Sequence, residues 1–387
     1  MHKTRRGKVQ RTGNQPPSRR PRTEHAVSRQ KLELKSALSR VIFYMKLKGI
    51  GEPVSSVTDL SALQVVKSAN LIITKLLKVR PNEKVLLVAD TTTEMSMVTA
   101  LAGESSSMGA EYLITVMPSR ETLGIGSHTA LPESIRKILD TFQVVVGLNA
   151  TSGAPSYDSQ VAELLHTQKI RYMSMVLRSI DNWIGGAATA NYEEVYSTAL
   201  KLAKVFAGKD IKVTTPAGTN LTARIDGRKA IVEAGIATEA GQSAAFSDGE
   251  VSLSTIEGTA NGTVVVDGPT AYLGLPREPI RIEIEKGRVA KVTGGREATI
   301  LREWISRIQN FDNFAEIGIG VNPESRRNGD FQEEKKGLGT AHFAFGDNIY
   351  YYGKVHCPIH FDVVMYEPTV IVDGNVIANE RRLHLKA

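Results

Sequence analysis

The sequence predicts an α/β N-terminal domain with a mainly parallel sheet, followed by an α+β C-terminal domain. In the first half, short continuous apolar runs alternate with helical patterns, which is typical of parallel strands covered on both faces. After Gly208 the strands shorten and are joined by Asp-Gly and Lys-Gly turns, which mark antiparallel hairpins. A chain of 387 residues is also long for one core. We therefore predict a basic tail with a short helix at 1–55, an α/β domain at 56–207 and a metal-binding α+β domain at 208–387.

Stop signals and helix ends separate the elements of the first domain. The first helix runs into Arg80-Pro81-Asn82, and the second ends at Gly109. The closing helix carries Glu193 and Glu194 in its first turn, where carboxylates complement the helix dipole. The predicted strands are 84–89, 112–117, 144–148 and 171–177, and the predicted helices are 63–79, 94–108, 132–142, 161–167 and 192–207.

The second domain is predicted as short strands around one helix, 297–310. A strand is also predicted at His360-Phe361-Asp362, which leads into an apolar run. Gly318-Ile-Gly320 has no helix after it, so we expect no nucleotide cofactor. The other predicted strands are 211–215, 221–225, 262–267, 280–285, 288–293, 369–372 and 376–378.

Composition excludes several classes of protein. No apolar run reaches the roughly 20 residues of a membrane-spanning helix, and the Arg-rich N-terminus lacks the apolar segment of a secretory signal. The single cysteine, Cys357, excludes an intramolecular disulfide and a cysteine-rich zinc site. A lone cysteine suits a reducing compartment, so we expect a cytoplasmic protein without a membrane partner.

The positive charge is concentrated at the N-terminus. Residues 1–50 carry 14 Lys and Arg against 2 Asp and Glu, so the total of +7 leaves the remaining residues at −5. Such a tail either binds nucleic acid or an anionic surface, directs targeting, or is a dispensable extension. We expect no nucleic-acid binding beyond this tail, because the rest of the chain is mildly acidic.

His360 and Asp362 are the starting point of a predicted metal site. Residues two apart on a strand share one face, so an imidazole and a carboxylate project together. Glu316 and His342 each interrupt an apolar run, and burying a lone carboxylate is costly unless it is paired or bound to a metal. Glu250 stands at the entry to another strand.

Each of the three added residues also has an ordinary explanation. Glu250 fits a solvated turn, Glu316 a strand edge with its head in water, and His342 a hydrogen-bonded core histidine. Taken together, the five residues suit divalent metals such as Zn, Co, Mn or Mg. Five ligands are more than one catalytic zinc uses, and they suit two metal ions about 3.5–4 Å apart.

The blocks that carry these residues resemble those of the aminopeptidase T and aminopeptidase S metallopeptidases. The resemblance is dense over about 245–370, and the α/β half fits in outline from about 60. It implies a dimeric two-metal aminopeptidase that hydrolyses N-terminal peptide bonds of small peptides, with the five residues above as metal ligands. The matching blocks are Asp248-Gly-Glu-Val251, Glu257-Gly-Thr-Ala-Asn-Gly-Thr263, Ala315 to Pro323, Gly339 to Asn348 and Ile359 to Val363.

The resemblance also implies a catalytic tyrosine soon after the His342 block. Tyr350, Tyr351 and Tyr352 all lie there, and we favour Tyr350 as the donor to the developing oxyanion. Glu257 is a candidate for moving the proton or holding the substrate amine, although composition alone does not distinguish a ligand, a base and a bystander.

A second reading is a mononuclear iron dioxygenase. The same fold superfamily includes the ring-opening 2,5-dihydroxypyridine dioxygenases, whose site resembles two histidines and one aspartate around a single iron. A histidine stands there where this chain has Glu316, so the hydrolase is the principal prediction and the dioxygenase the alternative. The third hypothesis is a nucleic-acid-binding protein with a basic tail on an inert body.

Overall fold

A computed structural model of the protein describes residues 60–119, 131–148, 158–175 and 179–385. The predicted tail and its short helix lie outside these residues. Residues Ser61–Ala387 form one compact unit. No helix in the described ranges is long and apolar enough to cross a membrane.

The first sheet is five-stranded and parallel, with strand order β2-β1-β3-β4-β8. Its strands are β1 (Lys84–Asp90), β2 (Glu111–Met117), β3 (Val144–Leu148), β4 (Arg171–Ser174) and β8 (Ser243–Ala245). The edge strand β8 comes from beyond residue 208, so the chain returns to this sheet after leaving it. The division at 207/208 stays a prediction.

Helices and two separate apolar clusters cover the two faces of this sheet. Leu86, Val88 and Val145 point to one face and pack with Leu139 and Leu164, while alternate residues such as Leu87 point to the opposite face. The described helices up to residue 208 are α1 (Leu60–Asn70, continued by a π-helical segment Leu71–Leu76), α2 (Met95–Ser107), α3 (Glu133–Arg136), α4 (Ser159–His166), α5 (Asp181–Ile184) and α6 (Tyr192–Val205).

Two segments that were predicted as single α-helices change geometry along their length. The segment predicted at 132–142 is α3 followed by a separate 3₁₀ turn at Leu139–Thr141, and the segment predicted at 63–79 changes to π-helical geometry at Leu71. The prediction of a parallel sheet with helices followed by antiparallel strands is confirmed.

The second sheet is eight-stranded, in the order β12-β11-β10-β6-β5-β16-β17-β18, and its strand pairs are antiparallel. Helix α7 (Arg296–Arg307) follows β12. The strands are β5 (Asp210–Thr214), β6 (Asn220–Arg224), β10 (Asn261–Val266), β11 (Ile280–Glu285), β12 (Arg288–Thr293), β16 (Thr369–Val372), β17 (Asn375–Asn379) and β18 (Arg382–Leu383).

The third sheet carries the residues of interest. It is antiparallel with order β15-β14-β13-β9-β7. The short helix α8 (Phe331–Glu334) lies between two of its strands in the chain. The strands are β7 (Ile231–Glu233), β9 (Glu250–Leu253), β13 (Phe314–Gly320), β14 (Ala341–Gly346) and β15 (His360–Met365).

Candidate metal centre

Strand register brings three predicted ligands to one face of the third sheet. Ala344 of β14 pairs with Glu316 on one side and with Asp362 on the other. His360 is two residues before Asp362 and therefore shares its face. The small side chain of Ala344 between the two carboxylates leaves room above the sheet for their heads.

A β-bulge in β13 aims Glu316 at this face. Phe314 and Glu316 are two apart and would share a face in a regular strand. The register shifts by one residue between them, so Phe314 pairs with Phe345 while Glu316 pairs with Ala344. An extra residue in one strand switches the face of every later side chain. Phe314 thus packs against Phe343 and Phe345, with ring centroids 5.2 and 5.8 Å apart, while Glu316 joins the polar face.

Glycines provide the space for the remaining polar residues. Gly318 pairs with His342, and Gly320 pairs with Glu250. A Cβ at Gly318 would lie 2.1 Å from His342 Cε1, and one at Gly320 would lie 2.1 Å from the carbonyl oxygen of Gly337. The pattern Glu-Ile-Gly-Ile-Gly therefore places a carboxylate and two gaps on one face and two isoleucines in the core.

Glu316, His360 and Asp362 form a compact set of potential ligands. One ligand atom from each lies within 4.8 Å of the others. His360 Nε2 is 2.7 Å from Glu316 Oε2 and 3.0 Å from Asp362 Oδ1. Asp362 Oδ1 is buried without a well-directed hydrogen bond among the described residues, which is unfavourable unless a cation binds it. Three of the five predicted ligands thus converge on one point.

The orientation of His360 favours ligation through Nε2. Its Nδ1 lies 2.7 Å from the backbone carbonyl oxygen of Asp347. A carbonyl only accepts, so Nδ1 donates to it, and Nε2 faces the carboxylates, where a metal ion would replace the proton that Nε2 shares with them. Burial alone would lower the pKa of His360, but the carboxylates of Asp362 and Glu316 outweigh it and raise that pKa well above its ordinary value.

His342 and Glu250 lie beside this set. His342 Nε2 is 3.3 Å from Glu316 Oε1 and 3.4 Å from Glu250 Oε2. Glu316 therefore faces one imidazole with each of its oxygens. Both carboxylate oxygens of Glu250 are buried without a well-directed hydrogen bond. Glu233, paired opposite Glu250, has its pKa raised well above the usual value by burial and by the Glu250 carboxylate.

Two lysines enter the site, and the sequence reading did not identify them. Lys335 Nζ lies 3.3 Å from Glu250 Oε1 and 3.2 Å from Asp362 Oδ2. Lys336 Nζ lies 2.5 Å from Asp248 Oδ1 and 2.7 Å from Glu250 Oε1. Burial lowers the pKa of both ammonium groups, but the surrounding carboxylates outweigh it and raise both values above the ordinary one.

The lysines were missed because four consecutive charges are normally solvated. Here all of Glu333-Glu334-Lys335-Lys336 is buried. Glu333 accepts hydrogen bonds from Arg326, Asn182 and Asn328, and Glu334 accepts one from Tyr366 Oη at 2.7 Å. The available sequence signal was the position of this run directly before the Gly337-Leu-Gly-Thr block.

The two predicted catalytic residues lie outside the converging set. Tyr350 is 53% exposed, and its hydroxyl donates to Glu233 Oε1 at 3.3 Å. The ring of Tyr351 is buried and stacks on the His360 imidazole, with the two ring centroids 5.3 Å apart. Glu257 accepts hydrogen bonds from Arg228 at 2.5 Å and Asn348 at 3.1 Å. The roles predicted for Tyr350 and Glu257 stay predictions.

Comparison with known proteins identifies the relatives of this chain. A family model described as 2,5-dihydroxypyridine 5,6-dioxygenase matches residues 71–384, well over half of the sequence. A curated 2,5-dihydroxypyridine 5,6-dioxygenase from Pseudomonas putida is 27% identical over 193 residues, which are 44% of this chain and 55% of that relative. The match thus spans about half the length of the curated relative.

Two solved structures show the same fold. That of 2,5-dihydroxypyridine dioxygenase from P. putida KT2440 superposes with a TM-score of 0.70 at 19% identity, covering 86% of this chain and 98% of that one. Wild-type AmpT from Thermus thermophilus gives 0.60 at 13% identity, covering 83% and 99%. At these identities the likeness concerns the fold alone.

These findings correct the principal prediction. The aminopeptidase function is wrong, and so is assignment to the hydrolases and proteases, because the matching family model is that of a dioxygenase. The hydrolase was preferred because Glu316 stands where the dioxygenases have a histidine. The fold, which the AmpT aminopeptidase shares, does not distinguish the two chemistries. A metal cofactor is consistent with the dioxygenase family and with the converging triad. The predicted homodimer stays a prediction.

Proposed function

This chain belongs to the 2,5-dihydroxypyridine 5,6-dioxygenase family, and on that premise we propose that it opens a dihydroxylated pyridine ring with O₂. In the reaction that this name describes, the ring C5–C6 bond breaks and both oxygen atoms enter the product. The observation that carries the proposal is the convergence of Glu316, His360 and Asp362 at one point of the buried sheet face.

The donor set fits one Fe(II). Imidazole suits iron, carboxylate oxygens suit hard divalent ions, and three protein ligands leave coordination positions open. Asp362 Oδ1, which is buried without a well-directed hydrogen bond, and His360 Nε2, which faces both carboxylates, are the atoms that a cation would bind. The set has one histidine and two carboxylates, whereas the usual iron triad of oxygenases has two histidines and one carboxylate. When bound, iron supplies the redox chemistry that allows O₂ to react with a closed-shell aromatic ring.

The protein's own groups define what surrounds that ion. The Asp347 carbonyl holds the His360 ring in one tautomer. Lys335 remains a charged donor beside Asp362, because the carboxylates raise its pKa well above the ordinary value. Burial and the nearby carboxylates Glu316 and Glu233 also raise the pKa of Tyr351 well above 10, so its hydroxyl keeps its proton. These two groups can orient a substrate hydroxyl by hydrogen bonding, but neither accepts a proton.

The proposal is tested by O₂ uptake with 2,5-dihydroxypyridine. Protein loaded anaerobically with Fe(II) is expected to consume one O₂ per ring, followed by an oxygen electrode and by loss of the aromatic absorbance. His360→Ala removes a ligand, so activity and Fe(II) affinity are expected to fall at least about 100-fold, the upper range for perturbing groups around a metal.

The matched control is His356→Ala. His356 lies four residues earlier, its side chain is 76% exposed, and it pairs only with Asp347 in the described structure. Its loss is expected to leave activity within about twofold of wild type. Iron-loaded protein that consumes no O₂ with 2,5-dihydroxypyridine, or equal losses in both variants, would contradict the proposed function.

A further inference from the structure

Lys335 occupies a position that a metal ion could otherwise take. Its ammonium lies between Glu250 and Asp362, at 3.3 and 3.2 Å from their oxygens. Nearby, His342 Nε2 lies 3.4 Å from Glu250 Oε2 and 3.3 Å from the second oxygen of Glu316. These three donors resemble the first set in chemistry: one imidazole and two carboxylates. Both oxygens of Glu250 are buried without a well-directed hydrogen bond.

The charge of the site favours a single divalent ion. Four buried carboxylates, Asp248, Glu250, Glu316 and Asp362, face the two ammonium groups of Lys335 and Lys336. Counted with neutral imidazoles, the form that binds a metal, and with Glu233 protonated, as burial and the Glu250 carboxylate raise its pKa well above the usual value, the site keeps two negative charges. One divalent cation cancels them, whereas two would leave the buried site with two uncompensated positive charges, which is costly.

We propose that Lys335 acts as a built-in second cation, which makes the centre mononuclear and excludes a second metal ion from Glu250 and His342. The inference rests on the proposed function, since it assumes that Glu316, His360 and Asp362 bind the first ion. In this inference the charge of Lys335 determines whether the site binds one metal ion or two, although the sheet carries carboxylates and imidazoles for both.

The position of Lys335 is held by its neighbours in the chain. The preceding Glu334 is anchored by Tyr366, and the Lys336 carbonyl accepts a hydrogen bond from the backbone N–H of Asn322 at 2.8 Å. The segment that carries the ammonium is therefore tied down on both sides of Lys335, and the charge stays in place as a metal ion would.

The test is metal stoichiometry in the full-length protein. Metal-free wild type is titrated with Mn(II), which is stable in air, by isothermal titration calorimetry, and bound metal is measured by elemental analysis after desalting. We expect one equivalent for wild type. Lys335→Met removes the charge at similar volume and is expected to bind two equivalents, with a metal-induced rise in unfolding temperature larger than that of wild type.

Two control variants separate the effect of the position of the Lys335 ammonium from the effect of the protein's total charge. Lys354→Met removes an exposed lysine and is expected to keep one equivalent. Lys336→Met removes the other buried ammonium, which contacts Asp248 and Glu250 but not the triad. It is also expected to keep one equivalent, because Lys335 still fills the position beside Asp362. A second equivalent in Lys336→Met as well as in Lys335→Met would overturn the specific role of Lys335.

The outcomes distinguish this inference from the proposed function. Wild type that binds no divalent metal rejects the proposed function. Wild type that binds two equivalents, or Lys335→Met that folds and binds only one, rejects the inference and leaves the proposed function in place.

If Lys335→Met does not fold, metal binding by Glu250→Gln tests the inference instead. We expect it to keep one equivalent with affinity within about tenfold of wild type, because Glu250 pairs with lysines. Loss of that equivalent would show that Glu250 is a ligand of the resident metal and would overturn the inference.

Discussion

Gly318→Ala tests whether the floor of the site is as closely packed as the structure indicates. The added Cβ would lie 2.1 Å from Cε1 and 2.2 Å from Nε2 of His342, more than 1 Å inside the contact distance of about 3.5 Å. The strand cannot retreat freely, since Gly318 pairs with His342 on one side and with Ser252 on the other. The His342 side chain is fully buried, so the ring cannot swing out into solvent without disturbing its neighbours.

We therefore expect Gly318→Ala to lower the free energy of unfolding by about 1–3 kcal/mol, the usual cost of an overpacked core. The displaced ring also presses on Glu316, so we expect metal affinity to fall about 10–100-fold, as for other groups that orient a ligand. Urea unfolding followed by circular dichroism measures the first effect, and Mn(II) titration measures the second.

Gly103→Ala is the matched control. Gly103 lies exposed in α2, and nothing approaches the added Cβ within 4 Å. Alanine in a helix is more stable than glycine by about 0.5–1 kcal/mol, so this variant is expected to gain stability. If Gly318→Ala is as stable as wild type while Gly103→Ala shows its gain, the sheet relaxes around His342 and the reasoning fails.

Three further predictions concern buried contacts. Arg171 donates two hydrogen bonds to the Glu83 carboxylate, at 2.6 and 3.0 Å. Arg171→Met removes both and is expected to lower the free energy of unfolding in urea by about 3 kcal/mol. Arg307→Met, which removes an exposed ion pair, should lower it by less than about 1 kcal/mol. Burial alone would raise the pKa of Glu83, but the hydrogen bonds and positive charges of Arg171 and Arg80 together outweigh it and lower that pKa from its usual value. The stabilisation by this pair is therefore full above pH 4.5 and is lost as pH falls through the lowered pKa of Glu83. If Arg171→Met kept the full wild-type slope of stability against pH in that range, this assignment would be contradicted. Tyr351→Ala removes the ring stacked on His360, the imidazole proposed to bind the metal, and is expected to weaken Mn(II) binding about 10–100-fold. Tyr350→Ala, at an exposed side chain, should change it by less than about threefold. Equal effects in calorimetric titration would refute the distinction.

Much of the fold was predictable because it follows from local patterns. The apolar runs at 84–89 and 144–148 are buried parallel strands, and the Lys-Gly turn joins an antiparallel pair, as predicted. The edge strand β8 was not predicted. It is three residues long, Ser243–Ala245, and carries too few side chains for a periodic pattern. Its place beside β4 depends on a contact between distant parts of the chain.

The five predicted ligands were recognisable as candidates because polar residues in apolar runs need a partner. Their number per metal ion was not recognisable. Under our proposal that number depends on Lys335, which belongs to a charged run that looks solvated in sequence and is buried in the structure. Burial of this run depends on hydrogen-bond donors from elsewhere in the chain, such as Asn182 to Glu333 and Tyr366 to Glu334.

The sequence by itself determined that His360 and Asp362 share a face, because a strand alternates its side chains every two residues. It also determined where glycines leave space, at Gly318 and Gly320. Only the tertiary structure decided that Glu316 joins them, because the bulge after Phe314 reverses the face that alternation alone would assign. The same holds for the ammonium between Glu250 and Asp362: a charge balance among residues more than 25 positions apart is set by packing, which local sequence patterns do not encode.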